Sequence, residues 1–353
     1  MPQGETERRR AEAALFRAIV DQFVARPLHA EGDRGRFETL VRGLVPTLDQ
    51  DTVADCAADL CRHPETPPGV IAELLDAGGR TARIAFELAP TIHPELARVT
   101  AEHGPAEFAA AIARRASLDR KIVGILASRA ESEVLCALAG NRRAHLDQTA
   151  RRALVLTGRD DRKLARVLLD RADLPLDPEP LFLAADAQER QAILLAATAR
   201  ALASAAPEAA ARAQPQTVAA IEACALARDF AGLADALAEG LDCRKSRARA
   251  ILADAGGEAL ALALLALGVN EDVAIRIFLG PEPETADVGR VRALVASMRS
   301  TPPRVAQRIV AAMTGAARPE KERAQPPHRA PTIEVGRAGR RNGNRRLGSK
   351  LNI

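Results

Sequence analysis

Residues Ala113–Pro175 read ARRASLDRKIVGILASRAESEVLCALAGNRRAHLDQTARRALVLTGRDDRKLARVLLDRADLP. Leucines recur in this stretch at intervals of 28 residues, and an Arg stands three positions before each of them. The register extends toward the N-terminus in steps of 26 residues, so that five positions mark it: Thr66, Ile92, Leu118, Leu146 and Leu174. A fixed period of this size is typical of helical-repeat arrays, whose units bury their apolar faces against one another. The sequence therefore predicts an α-solenoid of HEAT-like units.

Two further positions accompany the markers. An aliphatic or aromatic residue follows each marker seven or eight positions later: Leu74, Val99, Leu126, Leu154 and Phe182. A basic residue or His precedes four of the five markers by three positions: His63, Arg115, Arg143 and Arg171. The period has room for two helices, each about two to three turns long. Helices this short are marginal alone, so we expect each unit to depend on its neighbours.

The composition supports an all-α protein. The 353 residues include no Trp, no Tyr and only eight Phe, while hydrophobic residues make up 47% and charged residues 27%. The apolar set is dominated by Ala and Leu, which are strong helix formers. Alternating runs rich in β-branched residues, which indicate strands, are scarce. Small apolar side chains fit thin stacked layers of helices better than one deep core.

The pattern divides the chain into four segments. Residues 1–48 are predicted to form an N-terminal helical cap, residues 49–186 the HEAT-like repeats, and residues 187–314 a less regular helical region. Residues 315–353 are rich in Pro, Gly, Arg and Asn and poor in aliphatic residues, which predicts a disordered tail. The tail has ten basic and three acidic residues, a balance of +7 that leaves −3 for the rest of a chain whose net charge is +4.

Local signals predict several helix boundaries. Thr66-Pro67-Pro68 and Thr301-Pro302-Pro303 each resemble a helix start, with Thr as the N-cap and Pro in the first turn. The segment Glu31–Arg36, EGDRGR, is predicted to be a turn between two helices of the cap.

Arginines between the predicted helices are the first candidate binding residues: Arg114, Arg115, Arg142, Arg143 and Arg171. Stacked units would align them as a ridge that binds phosphate groups or an acidic protein surface. The alternative, which we favour, is that each Arg closes the C-terminus of a helix, where a cation is favourable.

A second basic cluster in the tail contains no acid. Its candidate binding residues are Arg340, Arg341, Arg345 and Arg346. Such a cluster binds nucleic acid with a steep salt dependence, or docks on an acidic partner or an anionic membrane. The alternative is a solubilising end without a binding role.

Signals for chemistry are scarce. Five scattered cysteines, Cys56, Cys61, Cys136, Cys224 and Cys243, indicate reduced buried thiols, and no second ligand pair accompanies Cys56 and Cys61 at zinc-site spacing. Phosphate-binding glycine loops, nucleophile elbows and metalloprotease motifs are not found in the sequence. We therefore expect no enzyme activity, no cofactor and no metal. The N-terminus does not resemble a signal peptide and no apolar run is long enough to span a bilayer, which predicts a cytoplasmic protein.

The stretch quoted above resembles a known family. Its cues are the ARRASL turn at Ala113–Leu118, the ESEVLCALAGN half-unit at Glu131–Asn141 and LLDRADLP at Leu168–Pro175. They are similar to an alphaproteobacterial family of conserved proteins of unknown function with HEAT-like short helical repeats. The resemblance covers roughly residues 49–186. It implies the fold but brings no agreed activity and no catalytic residues.

These observations favour a non-catalytic interaction protein that presents a curved helical surface to an unidentified protein partner, with a role in regulation. Nucleic-acid binding through the inter-helix arginines and the tail is the alternative. An enzyme on a helical-repeat scaffold ranks last, because it would require distant carboxylates or histidines to converge in one pocket.

Overall fold

The computed structural model describes residues 2–203, 213–280 and 287–315. Within these ranges the regular structure is entirely helical, which confirms the all-α prediction. The predicted tail, with Arg340, Arg341, Arg345 and Arg346, lies outside the described residues. None of the described helices has the length and apolar character required to cross a membrane.

The N-terminal helices form the first layer of the molecule. They are α1 (Pro2–Val24), α2 (Glu31–Leu44), a 3-10 turn (Val45–Thr47) and α3 (Gln50–Arg62). Asp49 caps α3 by accepting hydrogen bonds from the backbone N–H and the hydroxyl of Thr52, and these bonds lower the pKa of its carboxyl. The predicted turn at Glu31–Arg36 is wrong, since this segment forms the start of α2. Glu31 and Asp33 lie in the first turn of that helix, where acids are favourable.

Four two-helix units follow. Their helices are α4 (Pro68–Asp76) and α5 (Gly79–Leu88), α6 (Pro94–His103) and α7 (Ala106–Ala113), α8 (Arg120–Ala127) and α9 (Ser132–Gly140), and α10 (Gln148–Gly158) and α11 (Arg162–Leu169). The first helix of each unit begins two residues after a marker of the sequence register. The second helices of the units continue a row that begins with α3. In this row α3 packs on α5, α5 on α7, α7 on α9 and α9 on α11, so that each unit covers the apolar side chains of its neighbour.

The interior of the units follows the register with one exception. Leu74, Leu126, Leu154 and Phe182 are fully buried, whereas Val99 is 45% exposed. In that unit Thr100 and Ala101 face the interior instead. Helix α7, which lies between α5 and α9, buries every residue of Ala109–Ala113. Alanines occupy four of those five positions, because two flanking helices leave little room for larger side chains.

The C-terminal helices pack back on the end of the array. They are a 3-10 helix (Glu179–Ala184), α12 (Ala187–Ala203), α13 (Pro215–Leu226), α14 (Phe230–Gly240), α15 (Lys245–Leu252), α16 (Glu258–Ala266), α17 (Glu271–Leu279), α18 (Val288–Ser300) and α19 (Pro303–Thr314). Helix α19 contacts α12, α15, α16 and the 3-10 helix that follows the last repeat unit. The described residues belong to one compact unit. The boundaries at 48/49 and 186/187 stay predictions about organisation within it.

The two Thr-Pro-Pro segments have the same structure, which corrects the predicted N-caps. The residues that precede α4 and α19 are Pro67 and Pro302. The Thr66 hydroxyl donates instead to the carbonyl of Leu60 at 2.7 Å, and the Thr301 hydroxyl to that of Ser297 at 2.8 Å. Each Thr hydroxyl therefore adds a hydrogen bond to a carbonyl at the end of the preceding helix, beside the backbone N–H that this carbonyl already accepts.

Candidate interaction surface

Two of the predicted ridge arginines bind the main chain of the preceding unit. Arg115 donates to the carbonyls of Phe86 at 2.8 Å and Ala89 at 2.7 Å, where α5 ends. Arg171 is buried and donates to the carbonyl of Ala139, in the last turn of α9, and to the Asp173 carboxylate. Burial lowers the pKa of Arg115. For these two residues the structure shows the helix-closing contact, and their guanidinium groups are engaged within the protein.

Other residues make the same kind of contact between units. The Asn141 side chain donates to the carbonyls of Ala113 at 2.8 Å and Arg115 at 2.7 Å, where α7 ends. Arg129 donates to the carbonyls of Ala101 at 2.9 Å and Gly104 at 3.1 Å, at the end of α6. We call these side chains, with Arg115 and Arg171, the carbonyl clamps. Sequence reasoning missed Asn141 and Arg129, although their separation of 25 to 28 residues from the acceptors is close to the repeat period of 26 to 28 residues.

Arg129 also fixes the carboxylate beside it. Its guanidinium hydrogen-bonds Glu131, with one N–H···O distance of 2.9 Å, and this bond lowers the pKa of the Glu131 carboxyl to about 2. The pair orients the Arg129 guanidinium toward the α6 carbonyls, since a carboxylate holds a guanidinium through two donors at once.

The remaining ridge arginines lie around one shallow cavity. Arg114, Arg142 and Arg143 line it with Glu133 and Cys136. Arg114 lies 3.8 Å from the Glu133 carboxylate, and burial raises the pKa of the Cys136 thiol. Arg142 and Arg143 are exposed. The structure thus brings three of the five ridge arginines together, and it places Arg115 and Arg171 away from that cavity.

A second depression has an apolar floor. Helix α10 and the segment after α11 enclose about 470 Å³, lined by Gln148, Arg151, Arg152, Val155, Leu156, Pro175, Leu176, Asp177 and Pro180. We call this depression the α10 groove. Leu156 is 45% exposed there, and the exposed Arg152 lies on the same helix face one turn earlier. Asp147 fixes the start of α10 by accepting a hydrogen bond from the Ala150 N–H at 2.7 Å.

The α10 groove can accept apolar side chains beside a cation. Arg151 lies along its wall and donates to the Pro175 carbonyl at 3.4 Å. Sequence reasoning did not select this surface. The available signal was Arg152 and Leu156, an exposed cation and an exposed leucine four residues apart on one helix.

The described residues contain no group of three or more His, Cys, Asp or Glu side chains placed to hold a metal ion. All five cysteines are free, and burial raises the pKa of Cys56 and of Cys61 to about 11. Thiols with these pKa values are protonated and weakly nucleophilic at neutral pH.

Comparison with known proteins gives one match. No curated protein and no solved structure matches the chain. The sequence model of one family matches residues 94–280, from the start of α6 to the end of α17. The match extends well beyond residue 186, so it includes C-terminal helices that the resemblance at the sequence level did not cover. Because it spans more than half of the chain, the protein belongs to the family of uncharacterised proteins conserved in bacteria, DUF2336.

Proposed function

We propose that this protein is a non-catalytic helical-repeat interaction protein with a regulatory role in the cytoplasm, and that it binds a protein partner through the α10 groove. The observation that carries the proposal is Leu156, which is 45% exposed beside the apolar floor of the groove. Exposed apolar surface with a polar rim is characteristic of binding sites.

The lining of the groove specifies the chemistry of the partner. Val155, Leu156 and Leu176 offer apolar contact, and Arg151 and Arg152 supply positive charge. We therefore expect a segment that carries one or two large apolar side chains next to acidic residues. Burial of a leucine-sized side chain contributes about 1.5–3 kcal/mol, so a few such contacts suffice for a regulated, reversible complex.

The test is capture of partners from a lysate of the source cells by the tagged full-length chain. Leu156→Asp is the test variant. Leu96→Asp is the matched control, because Leu96 is 41% exposed on α6 in the same array but does not line the groove. We expect partners that bind wild type and Leu96→Asp but not Leu156→Asp. Partners that bind all three proteins equally would contradict the groove as the binding surface.

Nucleic-acid binding is the second candidate function, favoured by the cavity at which Arg114, Arg142 and Arg143 meet. It predicts affinity for oligonucleotides that falls steeply with salt. The variant with Arg340, Arg341, Arg345 and Arg346 replaced by Ala should bind more weakly if the tail contributes. Capture experiments with and without nuclease separate the candidates, since a protein partner survives nuclease and a nucleic-acid bridge does not.

A further inference from the structure

A charged cavity lies where the last repeat unit meets the C-terminal helices. It encloses about 510 Å³ between the α10–α11 turn, the 3-10 helix, the start of α12 and α15 with the loop after it. Its charged lining residues are Arg159, Asp160, Arg162, Arg190, Arg247 and Asp254. We call it the junction cavity. A volume of this size is in the range of small-molecule sites.

One group in the lining consists of an arginine paired with two carboxylates. Arg190 binds Asp254 at 2.7 Å and Glu258 at 2.9 Å, and both the Arg190 and Asp254 side chains are more than nine-tenths buried. One cation and two anions give this group a net charge of −1, and we expect it to form a fixed wall of the cavity because its guanidinium is already bound.

The other side of the cavity has more cations than anions. Asp160 is the one carboxylate that faces three guanidinium groups, at 3.2 Å from Arg159, 3.6 Å from Arg244 and 3.1 Å from Arg247. The Arg247 side chain is only 8% exposed. Its pKa is lowered by burial and by repulsion from Arg159 and Arg244. Three cations against one anion give +2 on this side; the Arg190 group adds −1 and Arg162 adds +1, so the cavity and the residues paired with its lining carry an excess of two positive charges.

Two arginines of the lining retain donors that no described residue uses. The buried Nε of Arg159 has no hydrogen-bond partner among the described residues, although buried donors in proteins are nearly always paired. Arg162 is exposed at the start of α11 and forms no ion pair within the described ranges. A guanidinium offers paired N–H donors in the geometry that phosphate oxygens accept.

We propose that the junction cavity binds a small phosphorylated molecule, with its phosphate held by Arg159 and Arg162. A phosphate monoester dianion matches the local excess of charge. The cavity is larger than one phosphate group, and its apolar walls, which include Leu183 and Ala250, suit an attached organic group. Apart from Pro180, this cavity and the α10 groove have different lining residues, so a test of one proposal does not decide the other.

The contacts of the cavity imply a conformational effect. Arg247 donates to the Met313 carbonyl at 3.0 Å near the end of α19 and to the Arg159 carbonyl at 2.9 Å. A Cβ atom added at Gly315 would lie 2.2 Å from Nη1 of Arg159. Arg159, one of the two proposed phosphate ligands, therefore lies where the last repeat unit meets α15 and the end of α19. We expect the bound anion to hold Arg159 in place and so to stabilise the packing of these helices.

Calorimetric titration of the full-length protein tests the proposal, with inorganic phosphate, pyrophosphate and ATP as probes at constant ionic strength. Arg162→Gln is the principal variant, because its exposed side chain makes no contact that folding requires. Arg120→Gln is the matched control, because Arg120 is an exposed arginine at the start of α8, as Arg162 is at the start of α11, and lies outside the cavity. We expect saturable binding of at least one probe at one site per chain, weakened at least tenfold in Arg162→Gln and unchanged in Arg120→Gln.

Arg159→Gln gives a second comparison, with circular dichroism to verify its fold. Should that variant unfold, the comparison of Arg162→Gln with Arg120→Gln decides alone. The proposal is overturned if no probe gives saturable binding, if Arg162→Gln binds like wild type, or if only an oligonucleotide binds. A rise in the thermal midpoint of wild type with the bound probe, lost in Arg162→Gln, would support the conformational effect.

Discussion

The repeat units and the C-terminal helices are joined by different kinds of hydrogen bond. Between units the acceptors are main-chain carbonyls, as in the contacts of Arg115 with Phe86 and Ala89. At the C-terminal end buried carboxylates act as acceptors beside such carbonyls; Glu179 binds Arg200 at 2.7 Å and Arg308 at 2.8 Å, while Arg247 donates to the Met313 carbonyl. Every residue has a main-chain carbonyl, whatever its side chain, whereas a side-chain carboxylate requires Asp or Glu at that position. The contacts of the carbonyl clamps therefore tolerate sequence change at the acceptor, whereas the C-terminal packing depends in addition on carboxylate contacts that do not.

Arg190→Ala is expected to have the largest effect on stability and would sharpen this comparison. It leaves the Asp254 carboxylate buried without its principal partner, which costs about 3–5 kcal/mol. The free energy of unfolding from urea titration gives the value. Arg299→Ala is the control, because its pair with Glu271 is exposed and screened by solvent, so its loss should change the free energy of unfolding far less. Equal losses in both variants would contradict the special role of the buried carboxylate.

Arg115→Ala tests the carbonyl clamps. It removes two charged hydrogen bonds to carbonyls at the end of α5, and we expect a loss of about 1–3 kcal/mol. Arg114→Ala changes the neighbouring residue, whose ion pairs at 3.8 Å and 3.9 Å are exposed, and should change stability by less than about 1 kcal/mol. Denaturant titrations of both variants provide the measurement. If Arg114→Ala proved the more damaging, the clamps would not hold the units together.

Thr66→Val and Thr301→Val compare the same hydrogen bond, from a threonine hydroxyl to a main-chain carbonyl, in the array and in the C-terminal helices. Each removes a hydroxyl that donates to a carbonyl of the preceding helix, at 2.7 Å and 2.8 Å. We expect each variant to lose about 0.5–1.5 kcal/mol, and by similar amounts, since the acceptor is a carbonyl in both places. Thermal unfolding of the two variants shows whether they lose the same stability. Clearly different losses would mean that the packing around each threonine, and not the shared hydrogen bond, determines the effect.

Glu131 gives the smallest expected effect, visible as a pH dependence. Its pKa in the folded protein is about 2, below the ordinary value of 4.5, because Arg129 hydrogen-bonds the carboxylate. A depressed pKa stabilises the folded state above the ordinary value, and that contribution is lost as the pH falls from about 4.5 toward 2. Solvent screening limits it to less than about 1 kcal/mol. The difference in thermal midpoint between wild type and Glu131→Gln should shrink over this range; a constant difference would contradict the assignment.

The positions of the helices in the array could be predicted from the sequence, whereas the side-chain contacts between distant helices could not. The markers precede α4, α6, α8 and α10 by two residues each, because apolar periodicity and turn residues are local signals. Val99 stands at an apolar position of the register but is exposed, because Thr100 and Ala101 occupy the interior face of that helix. Glu31–Arg36 was mistaken for a turn because its two glycines outweighed the acids that favour a helix start.

Contacts between distant residues carried no local signal. Glu179 and Arg308 are 129 residues apart, and Arg190 and Asp254 are 64 apart. Nothing in the sequence near either partner indicates the other. The α10 groove and the junction cavity were missed for the same reason, since each is formed by segments that meet only in the folded chain. Helix α14 was also not predicted, although Asp229 caps it by accepting from the Gly232 N–H at 2.9 Å.

The carbonyl clamps have a consequence for how such a chain can change in length. A unit duplicated as a whole brings its own donor and its own helix end, and the neighbours on both sides already present the complementary groups. Such an insertion requires no compensating substitution within the array, as long as its small alanine-lined interface is copied with it. Gain or loss of whole units near α6–α9 is therefore an accessible evolutionary step, whereas the C-terminal helices can be lengthened only if charged partners change together.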